Sequence, residues 1–89
     1  MSKIVITHDV ADVDTWLTYG SERAEAIGGM GGRNVVDHAA HDGSNHVAVT
    51  AEVDDADAIM ATIASPPAEL AAAMERHGVI PPLTVYVKK

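Results

Sequence analysis

The chain has no cysteine and no phenylalanine, and only one tryptophan and two tyrosines among its 89 residues. Without cysteine there is no disulfide framework, no zinc finger and no thiol redox motif, and a reducing cytosol suits the chain. Basic residues are scarce as well: six Lys and Arg stand against 13 Asp and Glu, for a formal charge of -7. Lys3, Arg23, Arg33, Arg76, Lys88 and Lys89 are scattered rather than clustered. Nucleic acid and anionic membrane surfaces both need concentrated positive charge, so neither is an expected partner. No apolar run approaches the roughly 18 residues of a spanning helix, and the first ten residues lack the apolar centre of a signal peptide. A cytoplasmic protein is expected. The length allows one domain, residues 1–89, and a core so small that burial against a second copy is a natural source of stability.

What is present is Val, Ile and Ala in two alternating periods. Residues 3–10 read as a strand, with Ile4, Ile6 and His8 on one face and Val5 and Thr7 on the other. Asp12 is placed to cap a helix whose buried stripe is Val13, Trp16, Leu17, Gly20, Ala24 and Ile27. The glycines at 28, 29, 31 and 32 follow a helix and precede a strand. That is the reverse of a phosphate-binding loop, so they read as a plain connection. Residues 33–41 and 46–53 read as two strands joined by Asp42-Gly43-Ser44-Asn45. A four-residue loop pairs His41 with His46 and His38 with Val49. It puts Val36, His38 and Ala40 on the apolar face, and Val35 and Ala39 on the other.

Asp54, Asp55 and Asp57 open a second helix, Ser65-Pro66-Pro67 interrupts it with Ser65 as cap of the helical stretch beyond, and Gly78 ends it. Residues 83–87 are the last strand, extended from the Pro81-Pro82 pair. Strand, helix, strand, strand, helix, strand predicts an α+β, ferredoxin-like βαββαβ fold. Its four-stranded antiparallel sheet carries two helices on one face.

The order also predicts a site. The first two strands run parallel, so His8 and His38 lie at the same end of the sheet. Trp16 sits in the early turns of the first helix, and His77 returns to that end on the last turn of the second. Tyr19 lies beside Trp16. We expect His8 as a general base, with Trp16, Tyr19, His38 and His77 as substrate-binding residues around a cleft for a small apolar or aromatic molecule. His8 is expected to be neutral at pH 7, because burial and the helix N-terminus both disfavour the imidazolium. No His-x3-His spacing occurs, so no metal site and no cofactor are expected. The acidic clusters lack calcium-loop spacing and read as helix-start charges.

The segments IVITHDVADVDTW and SPPAELAAAMERHGVIPPLTVYV resemble those of small bacterial dimeric α/β-barrel proteins. These proteins carry His-x-Val-x-Asp-x-x-x-Trp early and Ser-Pro, Met, Gly-Val, Pro-Pro and Val-Tyr late. That superfamily includes antibiotic-biosynthesis monooxygenases, polyketide cyclases, haem-degrading enzymes, chlorite dismutase relatives and stress-responsive proteins. The resemblance implies a homodimer with two sheets packed face to face, and a pocket between sheet and helices. It also implies a cleft histidine acting as base, with His8 and His77 at comparable places. Two functions are therefore expected as alternatives. One is a cofactor-free cyclase, isomerase or monooxygenase; the other is a non-catalytic homodimeric structural or stress-related module. The sheet face bearing Val5, Thr7, Val35, Ala39, Ala48, Thr50 and Tyr86 is the expected dimer surface.

Overall fold

The architecture is that of a computed structural model, which describes residues 2–89. Its elements run β1 (Ser2–Val10), α1 (Val13–Thr18), α2 (Gly20–Gly29), β2 (Gly32–Ala39), β3 (His46–Val53), α3 (Ala56–Ala64), α4 (Ala68–Arg76) and β4 (Val79–Val87). The strands form one sheet in the order β2-β3-β1-β4, with every neighbouring pair antiparallel. This is the expected ferredoxin-like arrangement. Each helical stretch carries the chain over one intervening strand and packs on the face bearing Ile4, Ile6, Val10, Val47, Val49, Ala51 and Val53.

Each expected helix is two shorter ones. Asp12 caps α1, its carboxylate accepting from the Asp14 N–H at 3.0 Å, and Asp55 caps α3 through the Ala58 N–H at 3.1 Å. The α1 helix ends because the Trp16 carbonyl is taken early. It accepts from the Tyr19 N–H at 3.1 Å and from the Arg23 guanidinium at 2.7 Å. The chain then restarts at Gly20 with a shifted phase. Trp16 and Ile27 are buried as expected, but Arg23 is buried with them and Leu17, expected in the stripe, is exposed. The second break falls at the prolines, as expected, but Ser65 closes α3 through the Ala61 carbonyl rather than capping α4. Gly32 packs so closely on α2 that a β-carbon there would collide with Ile27.

The β2–β3 hairpin differs from expectation by one residue. Ala40 donates to the His46 carbonyl at 3.0 Å, so the loop holds the five residues 41–45 rather than four. Gly43 adopts φ 78°, and Asp42 accepts from the Ser44 N–H at 2.9 Å. The pairs become Ala39 with Val47, His38 with Ala48 and Val36 with Thr50. A one-residue slip sends every side chain of a strand to the opposite face. Val35 and Asp37 therefore face the helices, while Val36 and His38 stand on the open face. The ladder absorbs one further residue at Asn34, which takes a φ of 53°.

The β1–β4 ladder also has a seam. Thr7 pairs with Thr84 but Asp9 pairs with Ile80, so Pro81, Pro82 and Leu83 stand against His8 alone. Proline has no N–H to give to a ladder, and the pairing resumes only beyond the pair. The two additional residues leave the alternation intact: Leu83, Val85 and Val87 all pack toward the core.

Candidate functional site

Four elements deliver side chains to a cavity of about 80 Å³ between the sheet and the helices. His8 comes from β1 beside the seam, Trp16 from α1, Arg23 from α2 and His77 from the C-terminal cap of α4. Gly78, at φ 76°, turns the chain after His77 and accepts from the Ala11 N–H at 2.9 Å. That bond ties the end of α4 to the end of β1 and brings the two histidines to one end of the sheet. The remaining walls are apolar, among them Ile6, Ile27, Val49 and Leu83. An apolar cavity of about 150 Å³ accepts benzene. This one holds a fragment of a few atoms, and a ring enters only if the walls move.

His8 is buried and meets Trp16 edge to face, with centroids 5.9 Å apart. Its Nδ1 lies 3.0 Å from the Asp9 carbonyl oxygen. A carbonyl only accepts, so Nδ1 carries the proton and Nε2 of the neutral ring is the basic nitrogen. Burial holds the ring below the ordinary imidazole range, and the Arg23 charge adds to this. The Asp9 carbonyl and carboxylate oppose it. The neutral state expected from the sequence is thus favoured, with Arg23 acting where a helix N-terminus was expected to.

Trp16 is fully buried, at 0% exposure, and its indole N–H has no hydrogen-bond partner. The Arg23 guanidinium covers one face of the ring at 3.8 Å from the centroid, so stacking space is limited to what that cation leaves. Arg23 also faces Asp37, with Nε 3.3 Å from Oδ1. The two atoms are close enough for an ion pair but out of line for a hydrogen bond, and neither has another partner. Burial lowers the Arg23 pKa while Asp37 raises it. The same cross-sheet contact exists because β2 is slipped: in the expected register Asp37 would face away from α2.

Tyr19 stacks on His77 at 4.5 Å between centroids and 19° between planes. His77 is buried, and its Nε2 lies 3.4 Å from a Glu22 oxygen without good alignment. Burial and Arg23 press its pKa down against Glu22. Glu22 is itself bound by Arg76.

The structure therefore brings His8, Trp16 and His77 to the cavity, sets Tyr19 behind them against His77 rather than on the cavity wall, and removes His38. His38 is exposed on the other face, its Nε2 3.1 Å from the Thr50 hydroxyl. Sequence reasoning missed Arg23. The available signal was its place seven residues after Trp16, two helical turns on, as a cation on an otherwise apolar stripe. His46 pairs with Asp9 on the open face. Among the described residues no group of three or more His, Asp or Glu is placed to hold a metal ion.

No protein-family model matches the chain, and no curated protein is similar to it in sequence. Solved structures do share its fold. A Deinococcus radiodurans protein named as an antibiotic biosynthesis monooxygenase superposes with a TM-score of 0.61 at 16% identity, over 100% of this chain and 91% of its own. A second antibiotic biosynthesis monooxygenase superposes with a TM-score of 0.65 at 14% identity, over 100% of this chain and 97% of its own. At these identities the likeness is one of fold.

Proposed function

We propose that this protein binds a small, largely apolar or aromatic molecule in the cavity and moves a proton on it, with His8 as the base. The observation that supports this best is the fixed tautomer of His8. A buried imidazole whose Nδ1–H is held by the Asp9 carbonyl keeps Nε2 unprotonated on the cavity wall. In such a step a C–H or O–H bond of the substrate breaks, its electron pair stays on the substrate, and the proton passes to Nε2. Arg23 and the partnerless Trp16 N–H would stabilise the resulting anion, while His77 and Tyr19 would orient the molecule. Cyclisation, isomerisation and cofactor-free oxygenation all begin this way, and the fold is one found in proteins named as monooxygenases.

The test is ligand screening followed by substitution. A panel of small aromatics should include members that raise the thermal midpoint. A ligand at 100 times its dissociation constant adds about 2.7 kcal/mol. His8→Ala should lose turnover of any substrate so found while costing only about 1–2 kcal/mol of stability. If no aromatic ligand raises the midpoint, the reading fails.

The small size of the cavity favours a second reading, a non-catalytic homodimeric module. Under either reading we place a second copy on the open sheet face, where Val36 is 48% and Tyr86 57% exposed. The register assigns Val36 and His38 to that surface in place of Val35 and Ala39.

A further inference from the structure

Outside the cavity, a groove of about 540 Å³ runs between α2 and α4. Ala26, Met30, Leu70 and Ala73 line both the groove and the cavity, so one layer of side chains separates the two spaces. Two of the four are alanines, and Met30 is a flexible thioether that shifts at little cost. A polar link through this layer is the Glu22 carboxylate, which meets Arg76 on the groove side and His77 on the cavity side. The groove's rim is acidic. Glu22, Glu25 and Glu69 face a single cation, Arg76, which Glu22 already engages. Beneath this rim lies a partnerless, fully buried indole N–H, a donor awaiting an acceptor.

We infer that ligands reach the cavity through the α2–α4 groove, and that the groove selects an amphipathic molecule with a neutral apolar or aryl head and a cationic tail. This rests on the proposed use of the cavity and names the class of molecule it takes. The head displaces Met30 and Leu70 to reach Trp16 and His8. The tail stays behind in the groove against Glu25 and Glu69. An anionic tail is repelled there, and the whole chain, at a net -7, reinforces the discrimination. Cavity and groove together also supply the length that about 80 Å³ alone lacks.

The single tryptophan makes the test direct, because the chain has one indole N–H signal. Phenethylamine, 2-phenylethanol and 3-phenylpropionate share a head and differ in the charge of the tail. Titrated into the full chain and followed by that signal in a nitrogen–proton correlation spectrum, the amine should bind about tenfold more tightly than the alcohol in dilute salt. The carboxylate should bind most weakly, and the spread should shrink toward 0.3 M salt, as screened surface charges require. In the double variant Glu25→Gln, Glu69→Gln the amine's advantage should vanish while the alcohol's affinity holds. Equal affinities for amine and alcohol in dilute salt, or an advantage that survives the double variant, would overturn the inference and leave the cavity reading standing. If none of the three moves the indole signal, the cavity reading falls with it.

Discussion

His8 and His77 are buried, and both are held below the ordinary imidazole value, mainly by loss of water and then by the charge of Arg23. A depressed imidazole binds protons more weakly in the folded chain than in the unfolded one. The unfolded state then takes up more protons as pH falls through its own value of about 6.5, and stability declines. The loss continues down to the folded values of the two rings and stops there. Urea midpoints taken from pH 8 to pH 5 should therefore fall steadily below about pH 7, well before the exposed carboxylates begin to titrate. NMR titration should place both histidine midpoints under 6.5; a His8 midpoint above 7 would remove it as a neutral base. Arg23 is the second residue to probe. Arg23→Met leaves Asp37 facing the helices without its cation and the Trp16 carbonyl with the Tyr19 N–H as its remaining donor of the two. Asp37 keeps some access to water, which tempers the penalty to about 2–3 kcal/mol. The same change should raise the His8 midpoint, because a cation that opposed the imidazolium is gone.

At the scale of elements, the turn after α4 sets the site. Gly78 holds a left-handed φ of 76°, while a β-carbon there would meet only Ala11 at an ordinary 3.5 Å. Gly78→Ala therefore tests conformation rather than crowding. It should cost about 1 kcal/mol and lower the thermal midpoint by roughly 4–8 °C, measured by circular dichroism. The position of this glycine was readable in the sequence, as were the strand order, the Asp12 cap, the acidic start of the second helical stretch, and three of the four polar or aromatic side chains that meet at the cavity. Each rests on a local signal: alternation, an acid before an apolar run, a glycine after one. His38 was misplaced because its face depends on whether the hairpin loop has four residues or five. The composition of residues 42–45 suits both. Only the Ala40–His46 pairing, a matter of how β2 meets the core, decides between them. Arg23 was missed for a related reason. A break at Tyr19 arises from a side chain capturing a backbone carbonyl, and such a contact exists only once the helices lie on the sheet.

For the molecule as a whole, the radius of gyration is 12.1 Å, about the value for a compact chain of this length. Nothing within the described residues covers the open sheet face, so any cover must come from outside. Light scattering at micromolar concentration should give twice the 9.3 kDa chain mass. The double variant Val36→Glu, Tyr86→Glu should return the monomer, and a wild-type monomer under those conditions would sink the dimer. No helix among the described residues is long and apolar enough to cross a membrane. The seam opposite His8 carries a broader consequence. A strand has two sides, so an inserted residue acts on everything downstream by parity alone. Two additional residues at Pro81 and Pro82 leave Leu83, Val85 and Val87 inward, whereas a shift of one in the hairpin turned over residues 35–39 of β2, up to the extra residue at Asn34. Length variation at the start of β4 is therefore neutral to the core in steps of two, whereas a step of one needs a second bulge to restore the phase, as Asn34 does in β2. The wall beside His8 can be widened or narrowed in even increments without redesigning the rest of the strand.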